Sequence, residues 1–106
     1  MLSEVSVEEL DAARSTGATV IDVREGEEFA AGHVPGAQLV PLGVVPVRMQ
    51  DLPRNEPVYV VCQSGGRSFQ AAQLLDRAGL DARTVVGGTS AWVRSGRPVD
   101  TIAPRG

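Results

Sequence analysis

The chain has 106 residues, of which 42% are hydrophobic and 22% are charged, a size and composition typical of one globular domain over residues 1–106. Its formal net charge of −3 argues against a broad basic surface for nucleic acid or anionic lipid. No stretch reaches the roughly 18 consecutive apolar residues of a membrane span, and the N-terminus has no secretory-signal pattern. We therefore expect a cytoplasmic protein with no nucleic-acid or membrane partner.

Helical and extended patterns alternate in the first half of the chain. Ser6 and Glu9 have the spacing of a capping box, which indicates the start of a helix, and Gly17 follows its expected end. The region 41–52 is ambiguous, because a helix there must hold Pro46 in its first turn. The patterns predict a helix to about residue 15, a strand over 19–23, a helix over 25–31 and a strand over 37–40.

The second half of the chain continues this alternation. An apolar run over 58–61 predicts a buried strand that ends at Cys62. The patterns then predict a helix from about residue 67 to 78, a strand over 83–86 and a helix over 90–94. Strands that alternate with helices are typical of an α/β fold, here with a central, mostly parallel sheet of about five short strands and helices on both faces.

Cys62 is the only cysteine of the chain, so it cannot form an internal disulfide. It comes at the expected end of a strand, before a loop with two glycines and the start of a helix. Backbone N–H groups and the helix dipole can stabilise a thiolate in such a place, and Arg67 adds a positive charge nearby. The alternative is that Cys62 is a small buried hydrophobic residue.

Several short motifs follow one another in a fixed order along the chain. They are Val20-Ile21-Asp22-Val23-Arg24, Glu28-Phe29, Gly32-His33-Val34-Pro35-Gly36-Ala37, Val60-Val61-Cys62-Gln63-Ser64-Gly65-Gly66-Arg67-Ser68, Gly87-Gly88, Ala91-Trp92 and Gly96-Arg97-Pro98. In this order and spacing the chain resembles the rhodanese-like domains over residues 5–99, at the size of a stand-alone single-domain rhodanese. The resemblance implies a rhodanese-like fold and a sulfurtransferase activity.

The resemblance also implies a mechanism and a set of site residues. Cys62 would attack the outer sulfur of a small anionic donor such as thiosulfate, expel sulfite and carry a persulfide, whose sulfur then passes to a thiol or to cyanide. Glycines in the loop let the backbone approach the sulfur closely, and a guanidinium suits an anionic donor. No metal or organic cofactor is implied, and one cysteine with one histidine cannot form a zinc site. The substrate-binding residues would be Gln63, Ser64, Gly65, Gly66, Arg67 and Ser68.

Loop length separates two chemistries among similar folds. From Cys62 to Arg67 there are six residues, as in sulfur-transferring members, whereas the related phosphatases have one more. We therefore expect neither phosphatase nor arsenate reductase activity. Gln63 stands where many thiosulfate-using relatives have arginine, which weakens the case for high thiosulfate affinity, while Arg67 argues against 3-mercaptopyruvate as the donor.

Other polar residues are assigned supporting roles. In similar domains, the residues at the positions of Asp22 and Arg24 brace the sheet and the neighbouring loops. His33 could be a general base, but its glycine- and proline-containing turn favours a hydrogen bond that holds the turn. The hydroxyls of Ser64 and Ser68 are candidate donors to the sulfur, and Ser68 is equally a candidate helix cap. We interpret one acidic run as a solvated face: Glu25, Glu27 and Glu28.

Two other functions stay open from the sequence. The chain could be a sulfur-relay or interaction module that accepts a persulfide from a partner protein, or passes the sulfur to a sulfur-carrier protein, with little thiosulfate turnover. It could also be an inactive rhodanese-like domain used for binding, although the intact loop at Cys62 argues against this.

Overall fold

A computed structural model describes residues 2–103, and it confirms the α/β fold. The strands are β1 (Ser3–Val5), β2 (Thr19–Asp22), β3 (Gln38–Leu39), β4 (Val58–Val61) and β5 (Ala82–Val85). The helices are α1 (Val7–Ser15), α2 (Gly26–Ala31), α3 (Val45–Arg48), α4 (Gly66–Arg77) and α5 (Gly88–Arg94). Two 3-10 turns, Leu42–Val44 and Met49–Asp51, flank α3.

The five strands form one parallel sheet in the order β1-β5-β4-β2-β3. The central strand is β4, and all four of its residues are buried, which explains why this segment is apolar without interruption. Side chains alternate between the two faces of the strand. Val58 and Val60 therefore join one hydrophobic cluster, while Tyr59 and Val61 join the other.

Each face of the sheet is covered by helices, as the sequence predicts. One cluster contains Val45 of α3 and Leu75 of α4, and the other contains Leu10 of α1 and Trp92 of α5. Both clusters share the strands of the sheet, so the sheet is buried from both sides. None of the helices within residues 2–103 is long and apolar enough to cross a bilayer.

The start of α1 is fixed by the predicted capping box. The Ser6 hydroxyl accepts a hydrogen bond from the Glu9 N–H at 3.1 Å, and the Glu9 carboxylate accepts one from the Ser6 N–H at 3.0 Å. These reciprocal bonds satisfy two backbone donors that the helix leaves without a partner. The prediction of a helix to about Ser15 is confirmed.

Several predicted boundaries are wrong, and one strand was missed. β1 has three residues, only Val5 of them buried, so the chain carries no local pattern for it and the pairing with β5 creates the strand. The ambiguous region 41–52 divides into α3 and its two flanking turns, and Pro46 lies in the first turn of α3. Both α4 and α5 begin earlier than predicted, because each starts at a glycine that looks like part of a turn in sequence.

Candidate active site

The loop that follows β4 places the thiol of Cys62 beneath a backbone N–H. The N–H of Gly65 donates a hydrogen bond to the Cys62 Sγ at 3.0 Å. Gly65 has a φ of 127°, which glycine adopts without the steric cost of a Cβ. This conformation turns the chain into α4 directly after the loop, since α4 begins at Gly66.

The Cys62 side chain is buried and hydrogen-bonded at the same time. The residue is 1% exposed and belongs to the hydrophobic cluster that contains α4. Burial raises the pKa of the Cys62 thiol, whereas the Ser68 hydroxyl and the backbone N–H groups of Ser68, Gly65 and Ser64 lower it, and the net effect is a pKa below the usual value. The Cys62 thiol is therefore part of the core, and hydrogen-bond donors already lie where they stabilise its thiolate.

A pair of buried hydroxyls lies behind the sulfur. The Ser68 Oγ is 3.5 Å from the Cys62 Sγ, 3.1 Å from the Gly65 carbonyl oxygen and 2.8 Å from the Thr84 Oγ1. Ser68 and Thr84 are both almost fully buried. The sequence patterns predicted Thr84 only as one residue of a strand and did not indicate a role at the site. Its hydroxyl, in the middle of a buried strand, was the one feature that could have pointed to a polar partner nearby.

Arg67, in the first turn of α4, is held by a carboxylate. Its two terminal nitrogens donate to the two carboxylate oxygens of Glu28 at 2.7 and 2.8 Å. This hydrogen bond, with one from the Glu25 N–H, lowers the pKa of the Glu28 carboxyl to about 2, and the same carboxylate raises the pKa of Arg67. The interpretation of Glu28 as part of a solvated face is wrong, because the tertiary fold brings α2 against the start of α4.

Gln63 is held from both sides. Its Oε1 accepts a hydrogen bond from Arg24 at 3.0 Å, and its Nε2 donates to the Ser90 hydroxyl at 2.8 Å. Arg24 in turn forms a buried ion pair with Asp22 at 2.8 Å and also donates to the Gly32 carbonyl. Arg24 thus bonds directly to Gln63 of the loop, and Asp22 bonds to Arg24.

The start of α5 packs on the backbone of the loop. The Cys62 carbonyl accepts hydrogen bonds from the Thr89 N–H at 2.8 Å and the Thr89 hydroxyl at 3.0 Å, and the Gln63 carbonyl accepts one from the Ser90 N–H at 3.0 Å. Gly88 makes this approach possible: its φ is 56°, and a Cβ there would lie 2.8 Å from the Gln63 carbonyl oxygen. Thr89 and Ser90 were not among the site residues chosen from sequence.

His33 lies in a separate cluster of contacts. Its Nδ1 is 2.8 Å from the Phe29 carbonyl oxygen, and its ring stacks on the Phe29 ring with centroids 3.7 Å apart. Its backbone forms an antiparallel bridge with Asp100. These contacts fit a residue that holds its turn, and they join the turn to the C-terminal segment.

Two clefts open beside the loop. The larger, of about 590 Å³, is lined by residues 64–66 of the loop together with Phe69 and Val86, and both of these side chains are exposed. The smaller, of about 490 Å³, is lined by Gln63, Arg24 and Glu28 among others. Ser64 and Gly66 therefore face open space, whereas Cys62 lies beneath the loop.

Known proteins are similar to this chain over most of its length. The family described as Rhodanese-like domain matches residues 6–95. A protein named sulfurtransferase from Allochromatium vinosum is 34% identical over 109 residues, which cover 100% of this chain and 100% of that protein. The putative sulfur carrier protein YrkF of Bacillus subtilis is 39% identical over 74 residues, which cover 69% of this chain and 40% of that protein.

Solved structures agree with the sequence relatives. The structure of the human single-domain sulfurtransferase TSTD1 superposes with a TM-score of 0.78 at 32% identity, and the match covers 86% of this chain and 95% of that one. The five-stranded parallel sheet, the loop after its central strand and the matched motifs lead to one conclusion. The chain belongs to the family of rhodanese-like domains.

Proposed function

We propose that the chain is a sulfurtransferase that moves a sulfane sulfur from a donor such as thiosulfate to a thiol or cyanide acceptor through a persulfide on Cys62. The observation that carries the proposal is the hydrogen bond from the Gly65 N–H to the Cys62 sulfur, in a loop whose donors lower the pKa of the thiol. The names of the relatives, sulfurtransferase and single-domain sulfurtransferase, support it.

The reaction balances without a cofactor. The Cys62 thiolate attacks the outer sulfur of thiosulfate, the S–S bond of the donor breaks, and its electron pair leaves with sulfite. Cys62 then carries an anionic persulfide. A thiolate or cyanide attacks the terminal sulfur, which returns Cys62 to the thiolate and releases a persulfide or thiocyanate.

In this proposal the loop supplies the contacts to the sulfur that is transferred. Backbone N–H groups stabilise the anion before and after transfer, because their positions are fixed before substrate arrives. The proposed substrate-binding residues are Gln63, Ser64, Gly65, Gly66, Arg67 and Ser68. The proposed supporting residues are Asp22, Arg24 and His33.

Mass spectrometry of the purified protein after thiosulfate treatment tests the proposal. We expect a mass gain of one sulfur atom on Cys62 that cyanide or a thiol removes. The matched control is Cys62→Ser, which keeps a small polar side chain but has no thiolate, and it should gain no sulfur. A mass gain in Cys62→Ser, or none in the unmodified chain with any sulfane donor, would contradict the assignment.

A second candidate function uses the same persulfide in a different setting. The chain could receive sulfur from a partner protein or deliver it to a sulfur-carrier protein, with little thiosulfate turnover. A relative named as a putative sulfur carrier protein favours this candidate. Slow thiosulfate:cyanide turnover together with rapid exchange of the Cys62 sulfur with a protein persulfide would support the relay.

The cytoplasmic location stays a prediction.

A further inference from the structure

The Glu28–Arg67 ion pair joins α2 to the first turn of α4 at the edge of the loop. Both partners are about one-third exposed, with side-chain exposures of 34% and 35%. The geometry is bidentate, since both terminal nitrogens of the guanidinium donate to the carboxylate. Such a pair holds the guanidinium in one orientation.

The ion pair changes the charge that the loop offers to an incoming anion. With a pKa of about 2, the Glu28 carboxyl is ionised at neutral pH, so the pair has no net charge. Glu28 also lines the smaller cleft beside the loop, together with Arg24 and Gln63. Arg24 cannot compensate, because Asp22 neutralises it in a buried pair.

Arg67 directly precedes Ser68, whose hydroxyl lies 3.5 Å from the Cys62 Sγ, so its charge lies near the thiol. The negative charge of the Cys62 thiolate is one of the charges that raise the pKa of Arg67. An anionic donor that approaches the Cys62 sulfur therefore experiences the charge of Arg67 and, with it, the opposing charge of its partner carboxylate.

We propose that Glu28 is a specificity-determining residue, which by pairing with Arg67 makes the site discriminate against dianionic donors such as thiosulfate in favour of sulfane donors of lower charge. The proposal rests on the proposed sulfur transfer through Cys62 and names the donor class that this site favours. Monoanionic thiosulfonates belong to that class. Their transfer balances as the transfer from thiosulfate does, with a sulfinate instead of sulfite as the leaving group.

The variant Glu28→Gln tests the proposal, with Glu27→Gln as its matched control. Both variants remove one negative charge from α2. Only Glu28→Gln removes the carboxylate that accepts the two hydrogen bonds from Arg67, whereas Glu27 is an exposed neighbour on the same helix. In Glu28→Gln, we expect kcat/KM to rise about tenfold for thiosulfate and about threefold for methanethiosulfonate, because the repulsion from the carboxylate is proportional to the charge of the donor. Glu27→Gln should change both values much less.

Alkylation of Cys62 gives a readout that does not depend on sulfur transfer. Iodoacetate and iodoacetamide are similar in size and share a leaving group, but only iodoacetate is charged. The ratio of their rate constants with Cys62 cancels the thiolate fraction and reports the charge selectivity of the site. We expect this ratio to rise about threefold in Glu28→Gln and to stay near the wild-type value in Glu27→Gln.

The outcomes separate this proposal from the proposed function. A wild-type chain that gains no sulfur from either donor overturns the sulfurtransferase assignment, yet the alkylation ratio still decides the role of Glu28. Three results would overturn the charge role and show that Glu28 only positions Arg67. They are equal changes in kcat/KM for both donors, an alkylation ratio equal to that of Glu27→Gln, and a loss of reactivity toward charged and neutral reagents alike. Thermal unfolding of each variant confirms that it is folded.

Discussion

The Thr84 hydroxyl lies 2.8 Å from the Ser68 hydroxyl, and this contact decides where the single proton of Ser68 can go. When Thr84 donates to Ser68, the Ser68 proton is free to point at the Gly65 carbonyl or at the Cys62 sulfur, which lie 3.1 and 3.5 Å away. The Ser68 hydroxyl can then donate a hydrogen bond to the Cys62 thiolate, which only accepts, whereas the thiol can itself donate to the Ser68 oxygen.

We therefore predict that Thr84→Val raises the pKa of the Cys62 thiol, because a Ser68 hydroxyl that no longer accepts a hydrogen bond from Thr84 is a weaker donor to the thiolate. The pH dependence of iodoacetamide alkylation measures that pKa. Thr84→Ser keeps the hydroxyl and should keep the wild-type profile. Identical profiles for Thr84→Val and the wild type would show that Thr84 only fills space.

A second prediction concerns the contact between the start of α5 and the loop. Gly88→Ala should destabilise the protein by more than about 2 kcal/mol, because its left-handed backbone costs alanine roughly 1–2 kcal/mol and the new methyl group would meet backbone carbonyls. The carbonyls are those of Cys62 and Gln63, so a slower alkylation of the thiol should accompany the loss.

Urea unfolding measures the change, and Gly43→Ala is the matched control. A Cβ added at Gly43 would meet no atom within 4 Å beyond its chain neighbours, and the φ of Gly43 is not positive. We expect the control to change the unfolding free energy by less than about 0.5 kcal/mol. Equal effects of the two substitutions would contradict the close approach of α5 to the loop.

The third prediction is a dependence of stability on pH that comes from Glu28. Its pKa falls from 4.5 to about 2 through the hydrogen bond from Arg67. A carboxyl whose pKa is lower in the folded state stabilises the protein above the unfolded pKa, and this contribution is lost as the pH falls from about 4.5 to about 2. Because the pair is one-third exposed, we expect a contribution of about 0.2–1 kcal/mol.

Urea unfolding of the wild type and Glu28→Gln at pH 7 and at pH 2.5 checks this prediction. The wild type should be more stable than Glu28→Gln at pH 7. The difference should shrink at pH 2.5, because the unfolded chain binds a proton at Glu28 as the pH falls below about 4.5 and the folded chain resists it. Glu27→Gln should show no comparable change. A difference between wild type and Glu28→Gln that stays constant from pH 7 to pH 2.5 would argue against the ion pair as its source.

The sequence determined the features that depend on neighbours along the chain. The buried run over 58–61 specified the central strand, since an apolar segment of that length is buried on both faces of a parallel sheet. The spacing of Ser6 and Glu9 specified the start of α1. The order of motifs around Cys62 specified the family, and the two glycines of the loop indicated that its backbone could turn toward the sulfur.

Only the tertiary structure decided the features that depend on contacts between distant segments. Thr84 reaches Ser68 because β5 pairs beside β4, and Glu28 reaches Arg67 across 39 positions of sequence. No local pattern distinguishes such side chains from ordinary strand or surface residues. The physical reason is that propensity and periodicity act over a few residues, whereas the charge and the hydrogen-bond donors around the thiol are set by packing of the whole sheet and its helices.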